Sequence, residues 1–247
     1  MQPNKFLAVI CSFSFFTGCN GGGDESDSSA LIENKSAVTS TKTFPLKTAY
    51  ANLLQNQSSS AFTFTASKAN YTLITNLSGQ GMLNTSTLKP ATFLGVQAFY
   101  KLSTWTGLIK AENGIEIPLA ASGSFFYDSN YNPMGEYIEG GFMKTNAYNI
   151  PQTVKVGDTG MLYSATRYRV YDNGKNDPIG KENMSYVIKP DSDNTALLTL
   201  IIETKDDYYD SIYESATFRI TDTGAITRLE ETFYDVENSS TYKMKYQ

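Results

Sequence analysis

The chain contains no histidine. That removes the commonest general base, the usual zinc ligand and the side chain that switches charge near neutral pH. Ser-His-Asp and Cys-His catalysis are excluded within such a chain. Cysteine is almost absent: Cys11 and Cys19 are the only two, both near the N-terminus. Everything after them lacks a disulfide and a thiolate metal site. No apolar run reaches the roughly 20 residues of a membrane-spanning helix. The net charge is −5 and the basic residues are scattered singly. No Lys/Arg cluster can neutralise a row of phosphates, so nucleic acid is not an expected partner. There is no Gly-rich strand-to-helix turn to cradle a phosphate, and no internal repeat.

What is present begins with an export signal. Lys5 supplies a short positive region, and Phe6 to Phe16 is a nearly unbroken apolar run. Thr17 and Gly18 are small residues, and Cys19 follows at once. This block resembles the lipobox of bacterial lipoproteins, with Phe16 standing where Leu is usual. The resemblance covers only about the first 25 residues. It implies cleavage after Gly18 and a diacylglycerol on the Cys19 sulfur, with a further acyl chain such as palmitate on its amine. Two or more chains hold a protein stably at a bilayer, whereas one holds it only marginally. In that family an Asp after the cysteine favours inner-membrane retention. Asn20 stands there, which points to the outer membrane.

Three regions are therefore expected: a signal peptide over 1–18, a lipidated flexible tether over 19–42, and a β-rich domain over 43–247. A division of that domain near Pro151 is the alternative. Removing the signal leaves 229 of 247 residues, enough for one domain or two small ones. Residues 20–41 are rich in Gly, Ser, Asp and Thr. As a flexible coil they reach roughly 25 Å.

The best helix covers 44–55. Thr43 is placed to cap it and Pro45 suits its first turn. Leu46, Ala49, Tyr50, Leu53 and Leu54 fall on one apolar stripe, the mark of a helix packed on a sheet. After it come strands and turns. Phe62, Phe64 and Ala66 alternate with Thr63 and Thr65, and Tyr71, Leu73 and Thr75 continue that alternation. A β-rich run spans 92–110, and Asn113-Gly114 signals a hairpin between 107–112 and 115–120. A loop over 128–135 separates Ser124–Tyr127 from a returning strand over 136–144. Strands are expected at 160–171, 181–189, 195–204, 211–221, 225–234 and 240–246. Ala216, Phe218 and Ile220 alternate with Thr217 and Arg219. Tyr242, Met244 and Tyr246 alternate with Lys243 and Lys245. One wet and one buried face is the pattern of antiparallel sheet. Short loops between consecutive strands imply a meander.

The expected fold is thus mainly β: an antiparallel meander, or curved sheet, packed on one N-terminal helix. Its layout resembles the half-barrel lipid carriers of the bacterial envelope, at the level of fold only. The 17 Tyr and 14 Phe fit strand faces and core. Some could also serve as stacking platforms for sugars or as a partner surface.

Three motifs invite chemistry. Ser86-Thr87-Leu88-Lys89, with Ser192-Asp193-Asn194, resembles the S-x-x-K and S-D-N of serine β-lactamases and penicillin-binding proteins. Pro90 disfavours the helix that motif needs, and Lys144-Thr145-Asn146 is no K-T-G. Asp128, Asn130 and Asn132 with Glu139 have EF-hand spacing. Pro133 replaces the required Gly, so a polar hairpin loop is the expectation. Asp206, Asp207 and Asp210 form an acidic cluster, expected to be solvated. Paired Asp/Glu catalysis has no designated pair. The expectation is no catalytic residue, no cofactor and no metal, with Cys19 as the lipidation site. Its partners would be the membrane through that anchor and a protein, polysaccharide or lipid ligand. Two functions follow: a non-catalytic binding or structural domain on an envelope lipoprotein, or a carrier of a hydrophobic ligand in a half-barrel cavity.

Overall fold

The structure is a computed structural model. It describes residues 40–68, 76–138, 140–171, 174–206, 212–235 and 240–247. Cys19, the alternation at Tyr71–Thr75, Glu139 and residues 207–211 lie outside that set.

Among the described residues the first elements are β1 (Thr43–Phe44) and α1 (Leu46–Gln55). Then come β2 (Ser58–Lys68), β3 (Asn76–Thr85), β4 (Lys89–Phe93), β5 (Val96–Ala111), β6 (Glu116–Tyr127), β7 (Pro133–Ile138) and β8 (Gly141–Tyr148). After β9 (Val154–Lys155) follow β10 (Thr159–Val170), β11 (Asn176–Pro190), β12 (Thr195–Asp206), β13 (Ile212–Thr221), β14 (Ile226–Asp235) and β15 (Ser240–Tyr246). The mainly β, antiparallel, one-helix reading holds. The curved meander goes further than that reading: twelve strands close into an antiparallel barrel. Closure runs through β3, which pairs with β2 on one side and β5 on the other.

Glycine makes the closure possible. Gly81 faces Gly107 across the β3–β5 ladder. A Cβ on Gly81 would lie 2.3 Å from the Thr106 carbonyl oxygen and 2.6 Å from the Phe62 ring. The Phe62 ring therefore packs over bare backbone, in space a side chain would occupy. The weakest join is at β6–β7, where only Phe126↔Gly135 and Tyr127↔Pro133 are paired. On either side of Pro151, β8 and β10 pair in the same barrel.

The helix starts later than the sequence suggests. Thr43 and Phe44 pair with Lys155 and Val154 as a two-stranded ladder, so Thr43 is pulled away from the cap. Pro45 takes that position and its carbonyl accepts the first helical bond, from the Ala49 N–H at 2.9 Å. All five stripe residues are buried. They pack on Leu162, Leu198, Leu200, Ile220 and Ile226 of the barrel wall. Burying each leucine stabilises by about 1.5–3 kcal/mol. α1 thereby plugs one end of the barrel. Asn52 donates to the Gly224 carbonyl in the β13–β14 turn at 3.1 Å, and the Lys47 N–H reaches the Gln152 carbonyl at 3.4 Å. A second core lines the wall made by β2, β3, β5, β6, β14 and β15: Phe62, Phe64, Trp105, Phe233, Tyr242 and Met244.

Strand alternation sorts polarity across the wall. Inward positions carry those apolar side chains. Outward positions carry Thr63, Thr65, Ser78, Gln80, Ser215, Thr217, Lys243 and Lys245, with Met82, Tyr137, Tyr213 and Tyr234 as scattered exposed exceptions. A membrane-spanning barrel has the reverse arrangement, with an apolar band outside.

Candidate functional site

The structure disperses the sequence motifs. Ser86 lies in the extended link between β3 and β4, where its hydroxyl donates to the Thr87 carbonyl at 2.7 Å and accepts from the Leu102 N–H at 3.0 Å. Lys89 and Pro90 are on β4, so no helical turn brings Lys89 onto Ser86. Ser192, Asp193 and Asn194 form the β11–β12 turn, which receives Ser40 and Lys42. Ser40 donates to the Asp193 carbonyl at 2.7 Å, and Lys42 bonds Asn194 and Asp222. Asp128 closes its own loop: Oδ1 accepts from the N–H groups of Asn130 (2.7 Å) and Asn132 (2.9 Å), and Oδ2 from the Asn132 amide (2.8 Å). That is turn chemistry of the expected kind. Pro133 opens β7. Among the described residues no group of three His, Cys, Asp or Glu is arranged to hold a metal ion.

The charge-bearing site that sequence reading missed lies inside the barrel. Lys101, Glu136, Glu182, Glu214, Arg228 and Glu231 are each at most 8% exposed. Lys101 projects inward from β5 beneath the helix. Its Nζ donates to the carbonyls of Leu54 (3.2 Å), Asn56 (2.7 Å) and Ser86 (2.8 Å). A cation thus sits on the negative end of α1, where the last helical carbonyls lack partners. Burial, with Arg228 nearby, pulls the Lys101 amine down to about 7.

Arg228, on β14, ion-pairs with Glu231. Its guanidinium stands 5.1 Å from the Phe218 ring centre and 5.4 Å from that of Tyr246. The Tyr246 hydroxyl donates to Glu231. On β10–β12 Glu182 accepts from the hydroxyls of Tyr163 and Thr204 and pairs with Arg167 at 3.4 Å. Burial raises the Glu136 carboxyl well above its ordinary value, and Glu182 adds to the rise while Arg167 opposes it. Tyr163 is likewise raised, by burial and then by Glu182. These groups brace the barrel from within. Their near-complete burial keeps them from meeting a polymer at the surface.

A sequence signal for this interior charge existed. Glu214 has the same parity as Ala216, Phe218 and Ile220, and Lys101 the same as Ser103 and Trp105. A charge in phase with a buried row is an interior charge. The core under α1 is filled: the cavity among Leu46, Tyr50, Leu53, Leu162, Leu198 and Ile226 holds about 10 Å³, close to the least volume that admits one water.

The outer wall carries the aromatic face. Tyr137, Phe142 and Tyr168 are successive partners across β7, β8 and β10. The Phe142 and Tyr168 rings stack at 4.9 Å. Tyr137 meets Phe93 and Phe126 edge-on at 5.2 and 5.4 Å, bridging the thin β6–β7 join, yet stays 54% exposed.

No protein-family model matches this chain, and no curated protein matches it. Among solved structures, a Bacteroides fragilis protein assigned to export and described by its YmcC-like fold matches with a TM-score of 0.33 at 9% identity, over 76% of this chain and 93% of its own. A Parabacteroides distasonis protein assigned as a lipoprotein matches with a TM-score of 0.25 at 9% identity, over 78% of this chain and 94% of its own. Likenesses this distant carry no argument about function, and the chain's role rests on its own residues.

Proposed function

We propose that this chain is an outer-membrane lipoprotein whose barrel is a non-catalytic binding domain held in water. Cys19 carries the lipid and residues 20–42 form the tether. The observation that carries this reading is the polarity of the wall, apolar inside and Ser/Thr/Lys-rich outside. Such a barrel has no apolar belt to offer a bilayer. An exported chain of this kind stays at a membrane only if something else holds it, and the lipobox-like Cys19 supplies that anchor. Ser40 and Lys42 bind the chain to the α1-plugged end. The alternative, a hydrophobic carrier, would need more room than the cavity of about 10 Å³ beneath α1.

The test is the mass of the N-terminal peptide of the mature protein. The expected peptide begins at Cys19 and carries a diacylglycerol and an amide-linked acyl chain. An unmodified peptide, or one beginning elsewhere, refutes the anchor.

A further inference from the structure

Two outward rows lie side by side on the wall formed by β7, β8 and β10–β12. The first is the aromatic row Tyr137–Phe142–Tyr168. The second lies two residues along each strand, roughly 7 Å away. It runs Lys144, Thr166, Lys181, Lys205 from β8 to β12, each the direct cross-strand partner of the next. The three lysines are exposed. At roughly 4.8 Å per strand the row spans roughly 14 Å.

Like charges directly opposite each other destabilise a sheet, and Lys181 stands opposite Lys205. Glu203 offsets Lys205 at 2.9 Å. Lys144 and Lys181 make no ion pair among the described residues. The concentration is the more telling because the whole chain carries −5. Two unpaired cations beside the exposed Tyr137 ring and the half-buried Tyr168 ring form a surface of defined chemistry. The C–H face of a pyranose packs on an aromatic ring, and a carboxylate on the same sugar reaches an ammonium one row away.

We propose that this face binds an acidic polysaccharide, its sugars on Tyr137 and Tyr168 and its carboxylates on Lys144, Lys181 and Lys205. The proposal rests on the reading of the barrel as a binding domain. It takes charge complementarity as the reason for an anionic polymer over a neutral one. Tyr168, held by stacking on the buried Phe142 ring, is pre-set and loses little freedom on binding.

The experiment uses the full chain with Cys19→Ser, purified without lipid, and titrates polygalacturonate and dextran by calorimetry. Polygalacturonate should bind saturably, weaken steeply as salt rises, and exceed dextran at least tenfold. Lys144→Gln with Lys181→Gln should abolish that preference, and Tyr168→Ala should weaken binding at any salt. The two lysines are exposed, so their variant should melt like the parent, while Tyr168→Ala uncovers the Phe142 ring and should melt somewhat lower. The salt series on the parent decides the point even if a variant does not fold. Equal binding of dextran, indifference to salt, or no saturable binding of polygalacturonate overturns the proposal. So does tighter binding of single-stranded DNA. Dextran binding alone would spare the binding-domain reading while removing this ligand. Lipidation is read separately and does not enter.

Discussion

Removing β15, residues 240–247, should open the barrel. The strand is no edge: Ser240–Lys245 pair with β14 and Ser240–Tyr246 with β2. Its loss strips two backbone ladders at once. It also removes Tyr242 and Met244, which are 7% and 3% exposed. Burying side chains of that size stabilises by about 1.5–3 kcal/mol each. Tyr242 packs against Phe64 and Phe233 at 6.4 and 5.6 Å, and such ring pairs add about 0.5–1.5 kcal/mol. Tyr246 covers Arg228 and bonds Glu231, so its loss exposes a buried ion pair. A domain has only about 5–15 kcal/mol in hand. The truncated chain should give little soluble folded protein, and the bared β14 and β2 edges should promote aggregation. Thermal melting by circular dichroism, with gel filtration of the soluble fraction, reads both effects. Met244→Ala alone should cost about 2–5 kcal/mol, while Thr241→Ala on the outer face should stay within about 0.5 kcal/mol. A truncated chain that melts with the full one would show that β15 is a tail and the barrel is closed some other way.

Other perturbations probe the interior. Lys101→Met should leave the Leu54, Asn56 and Ser86 carbonyls without their donor, at about 1–3 kcal/mol for each left unsatisfied. Hydrogen exchange should then quicken across α1 first, and unchanged exchange there would refute the clamp. Glu136→Gln tests the raised carboxyl. The folded state holds that proton more tightly than the unfolded one, so the group's contribution is full below the ordinary carboxylate value. It is lost as pH rises from there through the folded-state value. The variant should therefore gain on the parent in thermal midpoint between pH 4.5 and 7.5, and a pH-independent difference would contradict this. Gly81→Ala places a methyl against the Thr106 carbonyl and the Phe62 ring and should cost about 1–3 kcal/mol. An unaffected midpoint would show that β3 and β5 are not so close.

The helix stripe and the strands of the second half were legible because their side chains alternate cleanly. Phe218 and Ile220, or Tyr242 and Met244, announce a buried face. β3 was not legible, because Gly79 and Gly81 occupy the inward positions where apolar side chains would mark the period. That one strand decides between an open sheet and a barrel. Its partner on β5 is also far along the chain, so no turn signal joins them. Thr43 was read as a cap because the pairing of β1 with Lys155 and Val154 is invisible locally. The single return strand expected over 136–144 is two strands, with Gly140 at φ 72° in the turn between them. The interior charges do not show in composition, which reports charge without direction. Only strand phase places Glu214 or Lys101 inside. Lys144, Lys181 and Lys205 are far apart in sequence and become one row only through register.

The central claim is that a water-facing barrel is held to a membrane by Cys19 alone. Cell fractionation of the parent and of Cys19→Ser, with the melting curve of each, tests it most directly. The parent should sediment with the outer membrane, and the variant should be released into the soluble fraction with an unchanged thermal midpoint. A Cys19→Ser chain that stays in the membrane pellet, or that comes away unfolded, would contradict the account.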